Sequence, residues 1–155
     1  MKSIYKVLCV LGLLSLASAT KVSECSQGGL VPDEVHIEGC ESEADLFCSV
    51  PFNGYINMTM KLTSPHYLES IKPQLIGKTV LGNINLSLGS DRLDACTVIT
   101  NSVCPIVANE VIEFKYNIRF IVMPLLTVTL EFSIIDEDLD EAVVCFSLDV
   151  FPVKL

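Results

Sequence analysis

Cysteines, histidines and a run of carboxylates are the residues with which this chain could do chemistry. A zinc site needs closely spaced pairs of sulfur or nitrogen ligands. The sequence has no C-x-x-C, and neither His36 nor His66 completes a ligand set with a cysteine pair. Acyl transfer needs a nucleophile, a base and an orienting group, and there is no G-x-S-x-G elbow. His36 alternates with Val35 and Ile37, as a solvent-facing strand residue does, and His66 follows Ser64-Pro65 in a turn. The run from Asp136 to Glu141 opens as D-x-D-x-D, like a calcium loop. Such a loop requires Gly at its sixth position and Glu at its twelfth, where this chain has Glu141 and Ser147. The run therefore reads as a solvated hairpin tip. No Gly-rich phosphate loop follows a strand. The expectation is a binding protein and not an enzyme, with no catalytic residue, metal or cofactor.

The elements that would have to position a binding site begin after a leader. Lys2 and Lys6 precede an apolar run from Val7 to Leu16, and Ala17-Ser18-Ala19 offers small residues for cleavage. The run is too short for a bilayer core, which takes about 20 residues. Residues 1–19 read as a cleaved secretory signal and 20–155 as one domain. Of the 155 residues, 10 are basic and 19 acidic. Without Lys2 and Lys6 there remain 8 basic against 19 acidic side chains, a formal charge of −11. A nucleic-acid partner, which needs clustered Lys and Arg, is excluded. Half the chain is apolar, which excludes disorder.

Six cysteines follow the leader: Cys25, Cys40, Cys48, Cys96, Cys104 and Cys145. An even set in a secreted chain reads as disulfides, although spacing alone permits many connectivities. Two close pairs stand out, Cys40 with Cys48 and Cys96 with Cys104, which leaves Cys25 and Cys145.

Apolar residues recur with the period of a half-buried strand in segment after segment. Val35 and Ile37 make a short example. Ile56, Met58, Met60 and Leu62 face one way, as do Ile84, Leu86 and Leu88. The longest run places Ile112, Phe114, Tyr116, Ile118, Phe120 and Val122 together. Leu126, Val128, Leu130, Phe132 and Ile134 follow, and a last strand spans about Val143–Val150. Proline and glycine punctuate the segments, and no stretch keeps a helical period. The fold class is all-β, an immunoglobulin-like antiparallel sandwich. Two N-x-[ST] sequons, at Asn57 and Asn85, fall on polar faces where a glycan has room. Periodicity alone cannot say whether the inward residues fill a dry core or leave an apolar cavity.

The residues around the cysteines resemble those of the ML-domain lipid-recognition family, which includes Niemann-Pick type C2 proteins and group 2 mite allergens. The matching features begin at Cys25 and continue with Val35-His36-Ile37-Glu38-Gly39-Cys40, the short loop to Cys48, and the Ile56–Leu62 strand. Cys96, its loop and Cys104-Pro105-Ile106 come next, then Pro124-Leu125-Leu126-Thr127-Val128 through Phe132, Asp136 and Cys145-Phe146. Two departures are visible. Phe132 ends a strand that often carries tryptophan in sterol-binding members, and Leu88–Ala95 replaces a Pro-rich segment.

The resemblance implies the pairings Cys25–Cys145, Cys40–Cys48 and Cys96–Cys104. It also implies seven or eight strands whose sheets part for a lipid tail. Portal residues would be Leu88, Ile118, Phe120, Met123 and Pro124, with Met58, Met60, Phe114, Tyr116, Val128 and Phe132 deeper. On this basis the chain is expected to be a monomeric secreted or lysosomal lipid-binding and transfer protein. Its ligand would be a sterol, a fatty acid or a similar molecule, exchanged with a membrane or a receptor. An innate-immunity co-receptor for microbial lipid would want basic residues around the mouth, and only Arg119 is placed there. A structural domain with a filled core is the remaining alternative.

Overall fold

The computed structural model describes residues 19–40, 47–51, 53–89, 92–119 and 127–153. Among the described residues nine strands follow in chain order: β1 (Ser23–Glu24), β2 (Glu34–Ile37), β3 (Cys48–Pro51), β4 (Tyr55–Thr63), β5 (Ile71–Thr79), β6 (Gly82–Asn85), β7 (Val111–Arg119), β8 (Val128–Asp136) and β9 (Glu141–Val153). They form two sheets facing one another, β2-β4-β7 and β1-β9-β8-β5-β6, with β3 added to the free side of β9. All pairings are antiparallel except β3 with β9. A 3-10 turn, Ala95–Val98, lies on the connection from β6 to β7, with Asp94 accepting a hydrogen bond from the Cys96 N–H at its start.

Period-two patterning accounts for the central strands. On β4 the inward Ile56, Met58, Met60 and Leu62 are buried, and on β7 so are Ile112, Phe114, Tyr116 and Ile118. The register sets Met58 opposite Tyr116 and Met60 opposite Phe114, so both inward rows coincide across the pair. On β8 the inward Val128, Leu130, Phe132 and Ile134 are buried in the same way.

Other elements depart from the pattern. β5 has Pro73 and Gly77 at two of its inward positions, residues that break a strand signature. β6 pairs only with Ile76–Thr79, so at Pro73 that flank of β5 has no ladder for a missing N–H to interrupt. Gly77 is closely packed: a Cβ there would stand 3.3 Å from side-chain atoms of both Leu86 and Val128, which would have to give by a few tenths of an ångström. The segment expected as a strand from Asn83 to Leu88 is strand only at Gly82–Asn85. Its Ile84 is exposed at the sheet edge, while Leu88 is buried beyond the strand. β9 runs longer than expected at both ends.

The outer face of the larger sheet is partly covered. The chain around Ser26–Leu30 crosses it, tied by Leu30 N–H to the Val143 carbonyl, Cys145 N–H to the Leu30 carbonyl, and the Cys25–Cys145 disulfide. Gly29 has a positive φ and lies close enough to Cys145 that a Cβ would stand 3.0 Å from its backbone nitrogen. Beneath this cover Glu131 and Ser133 are buried although they point away from the sandwich core. The Glu131 carboxylate accepts from Lys78 Nζ at 2.5 Å and from the N–H and hydroxyl of Ser26 at 3.3 Å. Burial opposes its ionisation, but these donors prevail and hold its pKa below the usual carboxylate range. Cys40–Cys48 and Cys96–Cys104 are the other disulfides.

Candidate functional site

The two ends of the sandwich are packed differently. At one end Ile71, Ile106, Ile112 and Ile134 are all 0% exposed, and Leu68 and Leu62 close around them. Backbone pairing of Leu68 with Ile106 seals this end. At the opposite end Ile56 at 7% and Leu130 at 8% keep some exposure, although Val150 near them is fully buried. A cavity lies here between the sheets. Ile37, Ile56, Met58 and Ile118 form its wall on the smaller sheet. Leu75, Leu130, Phe132, Phe146, Leu148, Val150, Val50 and Cys48 complete it on the larger one. Every lining residue is apolar.

Aromatic rings separate this cavity from the closed end. Phe132 and Phe146 stand opposite one another on β8 and β9, their centroids 5.8 Å apart. Tyr116 meets Phe132 edge-on at 5.0 Å, bridging the sheets, and Phe114 stacks beyond it at 6.3 Å. The Tyr116 hydroxyl is buried and has no hydrogen-bond partner among the described residues. Burial, and then the negative charge of Asp94, push its pKa upward, so it is a neutral O–H. Leaving such a group unpaired costs about 1–3 kcal/mol.

The cavity accommodates the centre of a water-sized sphere over about 30 Å³. That is room for one or two waters, against roughly 300 Å³ or more for a ligand pocket. Any larger guest must part the sheets. Met58, unbranched and adaptable, is suited to such a wall.

Of the residues expected at a lipid site, Met58, Ile118 and Phe132 lie in the cavity wall. Met60, Phe114, Tyr116, Val128 and Leu88 are buried in the same core without lining that space. Phe120, Met123 and Pro124 lie outside the described residues. Ile37, Val50, Ile56, Leu75, Leu130, Leu148 and Val150 also line the cavity. The alternation of their strands signalled that several face inward, but not which end of the sandwich would be loose.

His66, in the bend after Ser64-Pro65, has its Nε2 2.9 Å from Oδ2 of Asp136. Asp136 is only 2% exposed, so the acidic run is solvated from Glu137 onward and not at its first residue. The other Asp136 oxygen accepts from the N–H groups of Asp138 and Leu139. Burial opposes ionisation of Asp136, but the His66 contact and the two N–H groups outweigh it and lower its pKa. Both carboxylate oxygens are thereby committed to closing the packed end of the sandwich. No group of three or more metal-ligating side chains occurs among the described residues.

The model of the ML domain matches residues 19–151 of the chain. The chain belongs to the ML-domain family. Its fold is similar to the crystal structure of a Niemann-Pick type C2 protein from the Japanese carpenter ant, with a TM-score of 0.71 at 17% identity. That likeness covers 84% of this chain and 97% of the ant protein. A more distant likeness, TM-score 0.55 at 17% identity, is to the C-terminal domain of wzt, covering 90% of this chain and 82% of that one. No curated protein matches the chain in sequence.

Proposed function

We propose that this ML domain is a secreted lipid-binding and transfer protein that takes a sterol, a fatty acid or a similar apolar molecule between its sheets. The apolar cavity at the loose end of the sandwich is the observation that carries this reading. Burying a lipid tail there contributes about 25 cal/mol for each Å² withdrawn from water, and the dense opposite end supplies the rigidity to recover once the guest leaves. Met58, Ile118 and Phe132 are the proposed first contacts, with Met60, Phe114, Tyr116 and Val128 behind them. Leu88, Phe120, Met123 and Pro124 are proposed for the portal.

Transfer needs a surface that meets a membrane or a receptor. The β5–β6 turn carries Val80 and Leu81, 92% and 84% exposed. Strand register places this turn at the loose end, because Lys78 pairs with Thr129 and the neighbouring Val128 pairs with Val150 of the cavity wall. We assign this apolar tip to bilayer contact during exchange. A co-receptor role for lipid phosphates finds less support, since Lys78 near this tip is held by Glu131. Three disulfides suit the oxidising space of secretion or the lysosomal lumen. Glycans at Asn57 and Asn85 belong to the same reading, and both side chains are exposed.

Native mass spectrometry of the gently purified protein, with displacement of a fluorescent sterol or fatty acid, tests the proposal. A stoichiometric apolar adduct and saturable displacement are expected. A bare mass with no uptake of either probe would overturn it.

A further inference from the structure

Tyr116 stands where a phenylalanine would pack equally well. Its neighbours are Phe114, Phe132 and, directly across the strand pair, Met58. Two of these three, Met58 and Phe132, belong to the cavity wall. The residue is 2% exposed, and its hydroxyl finds no partner among the described residues. Buried hydroxyls in folded proteins are nearly always paired, so a lone one beside a ligand cavity calls for a partner that arrives with the ligand. We propose that, when a guest parts the sheets, the Tyr116 hydroxyl just behind the present wall becomes the polar subsite, and that it selects a neutral lipid bearing a hydroxyl or carbonyl group over one bearing a carboxylate or phosphate. The inference rests on the lipid-binding reading and adds the chemistry of the lipid's polar end.

Charge decides the sign of this selectivity. The wall formed by the described residues is apolar, and Tyr116 is itself only 2% exposed. A carboxylate brought to this point would lose its hydration and meet only one neutral donor. An alcohol or ester would lose far less water and gain the single hydrogen bond that the phenol can give or accept.

Displacement of a bound fluorescent polyene lipid by hexadecanol, hexadecanoate and hexadecane at pH 8 tests the subsite. The wild-type protein is expected to prefer hexadecanol over both others by about tenfold, the scale of one buried hydrogen bond. Tyr116→Phe should erase the preference over hexadecane and melt no lower than the wild type. Preference for hexadecanoate in the wild type, or an alcohol preference that survives in Tyr116→Phe, would overturn the inference while leaving lipid binding intact. Should neither the polyene probe nor any of the three compounds bind, the lipid-binding reading fails and the subsite with it. The wild-type ranking stands as a test even if the variant folds poorly.

Discussion

Adding one methylene to the cavity wall at Val150 measures whether the space between the sheets is usable room. Val150 is fully buried on β9 and lines the cavity. Val150→Ile adds a single methylene, and a void of about 30 Å³ can take it. Each buried methylene contributes about 0.8 kcal/mol. The variant should therefore gain up to about that much stability, or about 3 °C in melting temperature for a domain of this size. The same methylene occupies space a ligand would use, so lipid affinity should fall by about fourfold. Val144→Ile is the control. Val144 is 1% exposed, pairs with Ile134 at the closed end and is outside the wall of this cavity. Overpacking there should cost about 1–3 kcal/mol. Urea unfolding with the disulfides intact, run beside displacement of a fluorescent fatty acid, reads both effects. A Val150→Ile variant destabilised as much as Val144→Ile would show that the wall has no slack. A stabilised variant with undiminished lipid affinity would place the ligand elsewhere.

Three further outcomes are expected. Ile112→Ala at the closed end should cost about 2–5 kcal/mol in urea unfolding while leaving ligand affinity of the folded protein unchanged. Glu131 and Asp136 both have lowered pKa values in the folded protein. The stability they add is thus complete above their unfolded values, about 4.3 and 3.9, and is lost as pH falls through the depressed folded ones. Melting curves from pH 6 to 2 should show this acid loss, blunted in Glu131→Gln and Asp136→Asn. Val80→Asp combined with Leu81→Asp should slow lipid exchange with neutral phosphatidylcholine vesicles at least several-fold without changing equilibrium affinity. Equal exchange rates would remove the β5–β6 turn from the docking role.

The sandwich was legible wherever a strand has one buried and one wet face. β4, β7 and the inward row of β8 alternate cleanly because the outward residues of β4 and β7 are exposed or half-buried, and the register keeps the inner rows aligned. β5 was not legible, since Pro73 and Gly77 occupy inward positions that usually hold branched apolar residues. β3 is short, ends in Pro51 and pairs in parallel with a strand about a hundred residues away. Burial of Glu131 depends on chain crossing the sheet from Ser26, and the His66–Asp136 contact joins residues 70 apart. Neither distance can be read from local pattern. The cavity itself was hidden for a simpler reason. Ile56 and Ile118 at the loose end are the same residue type as Ile112 and Ile134 at the dense one, and only the three-dimensional closure by Leu68 and Ile106 distinguishes them.

Methyl-labelled NMR of the wild-type protein titrated with cholesterol or oleate tests the central claim most directly. The methyl signals of Ile56, Met58, Ile118 and Val150, which line the cavity, should shift with saturable occupancy. Those of Ile71, Ile106 and Ile112 at the closed end should stay in place. Shifts confined to the closed end or to exposed methyls such as Val107, or no shift with either lipid, would contradict a ligand held between the sheets.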